Sequence, residues 1–428
     1  MGGSAGEAVD PPPTACACAG TQFVKSVSLI EAVLTHRISV ATVDSESTSC
    51  TMTHTKSHAK NETRDARLDM VSPFLYTGTG AGTNGTGLYD DFGLQGIKGG
   101  DSQGTYLITG TSGSNGVIYN GPIDHAMTTN GSGSGSWTVM NVPAGFNASS
   151  SSIYGVDNLG SGNVDLVGSY VSAKADSDGQ FPRIGFYYSG PISSNAKAEN
   201  YLSYQGRDPV TGKLATFTYI HSISGGLAVG NYDFLGDGNP AGNAFIYNPD
   251  SSNPQTTVDY GGDGKTHTAY GIWFNGGSSY TIAGGEGLNG SGDGRDGDPL
   301  SKGTLIDYDS VTGAFRNYRS YSFTKTNELP KGMQRQSIVT HFEGIWSNGK
   351  GTYKLPATLA TADGELTAAA LATVKRNKDG SFGKARWTLF DIPAAPVTTN
   401  DSVFADANVG VAIYGQGGGA SNYAGLVI

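Results

Sequence analysis

The stretch Tyr270–Gly284, YGIWFNGGSSYTIAG, opens on an aromatic-glycine pair, turns through Asn-Gly-Gly and runs into an alternating strand that ends on glycine. The plan recurs. Beginning at Glu343 the chain reads EGIWSNGKGTYKLPA, which lays Gly344, Ile345 and Trp346 on Gly271, Ile272 and Trp273, and Tyr353 on Tyr280. Beginning at Tyr154 it reads YGVDNLGSGNVDLVG, with Gly168 on Gly284. Self-similarity held in fixed register defines a repeat architecture before any single residue is interpreted.

The surrounding composition suits short strands joined by tight turns. The 428 residues include 65 Gly, 22 Tyr, 16 Phe and 4 Trp, and only 15% are charged. Glycine supplies positive φ at turns, and aromatic side chains pack on pleated faces. The net charge of −10 argues against a nucleic-acid partner, which requires a basic surface to replace counterions. No apolar run approaches the roughly 20 residues that span a bilayer. All three cysteines, Cys16, Cys18 and Cys50, lie near the N-terminus, so the rest of the chain has neither a disulfide framework nor a cysteine nucleophile. Low charge, abundant small polar residues and cysteine avoidance are the composition of exported bacterial β proteins. A secreted or periplasmic location is expected, although residues 1–20 have no signal-peptide hydrophobic segment.

Residues 1–69 contain four of the glycines and one aromatic, Phe23. They read as a disordered or non-native leader, with Met70 opening a single domain over 70–428. Within that domain the first repeat runs through Gly93–Gly100, Gly104–Gly110, Gly116–Ile123 and Ser136–Val142. The second begins near Ser152 and the third near Phe217; YNGPI and YSGPI stand at equivalent places in the first two. The fourth and fifth begin near His267 and Thr340. A sixth, short repeat offers Ser402–Asp406, Val409–Tyr414 and Tyr423–Ile428, and lacks a fourth strand. Four strands in each repeat predict an all-β fold, a β-propeller of six blades. An open edge would be prone to mispairing, so Val71–Thr77 is expected to close the last blade. A pair of β-sandwiches and a β-helix are the competing architectures.

The third repeat, His221–Asp233 followed by Gly242–Tyr247 (HSISGGLAVGNYD…GNAFIY), resembles the repeat of the HAF family of bacterial extracellular proteins. There a glycine-rich turn leads into a Val-Gly strand, and a Gly-x-Ala-Phe strand follows. The second repeat keeps LVGSY at Leu166–Tyr170, whereas later repeats substitute IAGG, YKLPA and AIYG. The resemblance implies an exported β repeat protein and brings no catalytic residue or substrate with it.

In a propeller the first strand of each blade lines the axis. Those strands carry Asp157 and Asn158, His221, Trp273 and Asn275, His341, Glu343 and Trp346, and Asp406. Tryptophan faces stack on sugars, and carboxylates can serve as acid, base or nucleophile. Glu343, Asp157, His221 and His341 are therefore the catalytic candidates; Trp273, Asn275, Trp346 and Asn158 are the ligand-binding ones. Polar residues also line water-filled channels that have no function. Glu343 is the most informative, because the matching positions hold Tyr154 and Tyr270 and the repeat does not require an acid there. Asp293, Asp296 and Asp298 are glycine-spaced acids that can wrap Ca²⁺, as are Asp237 and Asn239. Their spacing fits no known calcium loop, so a solvated loop is expected and no cofactor. Two readings follow: a monomeric exported protein binding a glycan or cell-surface ligand at the channel mouth, or a glycoside hydrolase or polysaccharide lyase acting there.

Overall fold

A computed structural model describes residues 74–76, 92–123, 135–177, 179–234, 242–260, 266–287, 301–334, 336–362, 365–390, 395, 397–414 and 422–427. The leader lies outside them, as do Asp293, Asp296 and Asp298, and Asp237 and Asn239. The fold is all-β. Among the described residues, three single-turn 3₁₀ helices, at Ala144–Phe146, Ala198–Asn200 and Thr326–Glu328, interrupt the strands. Among the described residues no helix is long and apolar enough to cross a membrane.

The strands follow one another in antiparallel meanders. The first comprises Phe92–Gly99, Tyr106–Ser112, Asn115–Gly121 and Ser136–Val139. The second comprises Ala148–Gly160, Asn163–Ser172, Arg183–Pro191 and Tyr201–Tyr204, and the third Phe217–Ser224, Leu227–Asp233, Asn243–Tyr247 and Gln255–Thr257. The fourth holds Thr266–Gly276, Ser279–Gly287, Lys302–Asp309 and Phe315–Tyr321. The fifth starts with Ile338–Phe342 and Trp346–Ser347, both on Thr352–Thr361, and continues to Thr367–Arg376 and Phe382–Phe390. In the sixth, Val397–Thr398 and Ser402–Phe404 both pair with Ala407–Tyr414, which pairs with Asn422–Val427. The N-terminal strand Phe74–Tyr76 adds to the outer edge of this last sheet, Phe74 opposite Val427. Single parallel contacts, Phe217 to Arg183 and Asn243 to His267, join the second, third and fourth meanders into one twelve-stranded sheet. None of the four sheets closes on itself.

Local sequence explains the turns. Gly225 and Gly226, at φ 60° and 84°, form the two-residue loop between Ser224 and Leu227. Both central residues of such a tight hairpin need positive φ, a conformation that glycine adopts without strain. Burial then falls away from the inside of each meander. Leu227–Asp233 is buried at every position, whereas Gln255–Thr257 at the end of the same meander is largely exposed.

Apolar clusters join each meander to the next. Leu107, Ile118 and Met140 of the first pack with Ile153, Val164 and Phe186 of the second. Val167 meets Ile220 and Phe245; Leu227 and Val229 meet Ala269 and Ile282; Leu305 and Tyr321 meet Phe342 and Leu355. Leu94, Ile97 and Ile108 of the first meander share a cluster with Val409 and Val427 of the sixth. Between the fifth and sixth, buried hydrogen bonds stand beside a Trp346–Phe404 ring contact. Thr367 Oγ1 donates to the Thr398 carbonyl at 2.7 Å, the Ala369 N–H donates to Thr398 Oγ1 at 3.0 Å, and Asn400 Nδ2 donates to the Ala370 carbonyl at 2.8 Å.

Candidate functional site

Each meander interrupts its first strand at the same place. The pairing register shifts between Leu94 and Gly96, Ile153 and Gly155, Ile220 and Ser222, and Ala269 and Gly271. The residues left out of the ladder are Gln95, Tyr154, His221 and Tyr270. In the fifth meander Glu343 lies in the break between two short strands, and in the sixth Asp401 does. A bulge re-aims the side chain it frees. These six residues all line one cavity, with the apolar residues two positions later, Ile97, Val156, Ile223, Ile272, Ile345 and Val403, beneath them.

The residue after each bulge sets how closely the strands approach. A Cβ on Gly96 would stand 2.5 Å from the Tyr154 carbonyl oxygen, and one on Gly155 would stand 2.8 Å from that of His221. On Gly271 it would meet the Gly344 carbonyl carbon at 2.7 Å, and on Gly344 the Asp401 carbonyl oxygen at 2.9 Å. At the two remaining places serine replaces glycine and its hydroxyl accepts a neighbour's N–H, Ile272 N to Ser222 Oγ and Ile97 N to Ser402 Oγ, both at 3.4 Å. Followed in order, these contacts run from the first meander to the sixth and return to the first.

The cavity inside this ring is about 30 Å³, room for one or two waters. Its walls are unlike one another. His221 is stacked between Tyr270, with ring centres 3.8 Å apart, and Tyr154, at 5.4 Å. Burial, and then the charge of His341, lowers its pKa to about 3, so the imidazole is neutral; its Nε2 has no hydrogen-bond partner. On the acidic wall Glu343 is held by a relay. The Gly285 N–H donates to Thr268 Oγ1 at 2.9 Å, and that hydroxyl lies 2.7 Å from His341 Nε2. With the Thr268 hydroxyl donating to Nε2, the ring hydrogen lies on Nδ1, which donates to Glu343 Oε2 at 3.2 Å. Asp401 has nothing comparable. It is 8% exposed and neither carboxylate oxygen has a partner. Burial pushes its pKa well above the usual carboxylate value and the charge of Glu343 pushes it further, against a smaller opposing pull from the Thr399 side chain.

Three residues beyond the ring lie Lys98, Asp157, Ser224, Trp273, Trp346 and Phe404, of which all but Phe404 and Ser224 carry a charge or an indole. Trp273 and Trp346 meet edge to face at 6.2 Å, and Trp346 meets Phe404 at 6.3 Å. Lys98 Nζ sits 5.0 Å from the Trp273 ring centre and 2.9 Å from Asp157 Oδ1, while Asp157 Oδ2 accepts the Gly225 N–H at 2.8 Å. Lys354 Nζ lies over Trp346 at 5.6 Å and bonds Asp406 Oδ1 at 2.5 Å. The three aromatic side chains are half-buried.

The expected residues therefore fall into separate groups. His221, Trp273 and Glu343 line the cavity, and His341 supports Glu343 from behind. Asp157, Trp346 and Asp406 belong to the outer aromatic and charged tier. Asn158 ties its own strand to the Gly99 carbonyl at 3.0 Å, and Asn275 bridges Thr281 and Tyr353. Sequence reasoning overlooked Asp401. Its signal was the match of Asp401-Ser-Val-Phe with Glu343-Gly-Ile-Trp, visible once Ser402 is aligned with Gly344. Among the described residues no three His, Cys, Asp or Glu side chains gather into a metal-ligand set.

No protein-family profile and no curated protein matches the chain. Among solved structures it is similar to a GH43 β-1,3-galactosidase determined with galactodeoxynojirimycin, at 13% identity and a TM-score of 0.36, over 68% of this chain and 94% of that one. So distant a likeness carries no argument about chemistry.

Proposed function

We propose that the chain is an exported six-bladed β-propeller that binds a glycan at the outer aromatic tier of its axis. The cyclic order of the bulge contacts and of the apolar clusters supports the six-bladed arrangement, each meander acting as one blade. The observation that carries the binding reading is the arc Trp273–Trp346–Phe404, flanked by Lys98, Asp157, Lys354 and Asp406. Indole faces stack on sugar C–H surfaces, and the flanking charges supply donors and acceptors for hydroxyl groups. Binding the ligand would displace Lys98 or Lys354 from the indole it covers.

The catalytic reading, a glycoside hydrolase or lyase, draws on Glu343 and its His341 relay. Against it stands the size of the cavity, since pockets for sugar-sized ligands run to hundreds of Å³ and this one holds about two waters. A glycan array probed with the wild type and with Trp273→Ala tests the proposal. Loss of stacking should weaken binding about 5- to 10-fold, a term on the order of 1 kcal/mol, in a variant shown by its denaturation curve to remain folded despite the packing Trp273 gives up. Equal binding by the two proteins would place the ligand elsewhere. Release of shortened sugars that stops in Glu343→Gln would decide for the enzyme.

A further inference from the structure

Asp401 and Glu343 stand on neighbouring strand breaks and line the same small cavity. Glu343 Oε2 already accepts a hydrogen bond from His341 Nδ1 at 3.2 Å. Were Asp401 protonated, its hydroxyl would need an acceptor, and neither oxygen has a partner. A proton shared between the two acids would draw their oxygens into a short hydrogen bond, and no such bond exists. Were Asp401 ionised, two neighbouring carboxylates would lie buried without compensation, which is costly in a low-dielectric interior. The 30 Å³ beside them has room for one ion.

We infer that Asp401 and Glu343 together hold one hard divalent cation of the Ca²⁺ class in the axial cavity. Two carboxylates balance a charge of two, and carboxylate and water oxygens are the ligands Ca²⁺ takes. A zinc-type centre does not fit, because no third His, Cys, Asp or Glu joins them among the described residues. The ion would cross-link the fifth and sixth meanders, adding to the hydrogen bonds, the Trp346–Phe404 ring contact and the Lys354–Asp406 ion pair that already join them. Its ligands are Asp401 and Glu343, whereas the proposed glycan rests on the aromatic arc, so different substitutions test the two readings.

The test is calorimetric titration of chelator-stripped protein with CaCl₂. Asp293 and Asp296 are first replaced by alanine, so that this acidic loop contributes nothing. One ion should bind per chain and raise Tm by roughly 2–4 °C. Asp401→Asn should abolish the heat and the shift, and Glu343→Gln should weaken binding at least about tenfold. If Asp401→Asn does not fold, Glu343→Gln carries the comparison. Absence of binding in the loop-substituted protein overturns the inference, as does unchanged affinity in the Asp401 or Glu343 variant.

Discussion

Asp233 shows how a single buried acid can tie stability to pH. Its Oδ1 accepts the Gly242 N–H at 2.9 Å, its Oδ2 has no partner, and burial raises its pKa from 3.8 to about 7. The folded chain thus holds this proton more tightly than the unfolded one does. The stabilisation is complete below pH 3.8 and is lost as pH rises through about 7. Between about pH 5 and about pH 8 the wild type should lose stability relative to Asp233→Asn, by no more than about 1.4 kcal/mol per pH unit, the limit for one proton. Urea midpoints across that range check it, and parallel profiles for the two proteins would remove Asp233 as the cause. At this scale the sequence was only partly legible. Glu343 stood out because its sister positions hold tyrosine. Asp401 did not, because its repeat is short and its strand divided.

The strand break is the element on which the candidate site depends. Alternation along a strand is readable from sequence, and the propeller expectation put the first strand of each repeat at an axis. The bulge is not readable in that way, because one extra residue reverses every later side chain while leaving composition untouched. Asp157 was therefore grouped with Glu343, although the two occupy different tiers. The close approach after the bulge gives a direct prediction. In Gly155→Ala the new methyl would stand 2.8 Å from the His221 carbonyl oxygen and 2.9 Å from Ser222 Cα, both backbone atoms. The second and third meanders must part to admit it, at a cost of about 1–3 kcal/mol. Chemical denaturation measures this, and a neutral result would mean that the contact is slack.

At the scale of the molecule, the repeats were legible because every meander is punctuated by glycine turns and fed by β-branched and aromatic residues. The all-β reading is borne out. What sequence could not supply was the character of each seam, since an apolar cluster and a threonine clasp draw on the same strand-forming residues. Phe74–Tyr76 gives a test at this scale. A chain beginning after Tyr76 exposes the edge of Asn422–Val427, and it should unfold at lower denaturant concentration and aggregate more readily. Light scattering alongside a urea titration reads both effects, and unchanged behaviour in each would make the strand dispensable.

That strand also imposes an order in time. Phe74 and its partner Val427 are separated by about 350 residues, and a ribosome adds roughly 5–20 residues each second. The first-made strand must therefore wait on the order of tens of seconds for the last-made one, while the intervening meanders fold as local antiparallel units. Assembly of that sheet thus waits until the chain through Val427 has emerged, and until then the nascent protein carries an unpaired edge that a chaperone could shield.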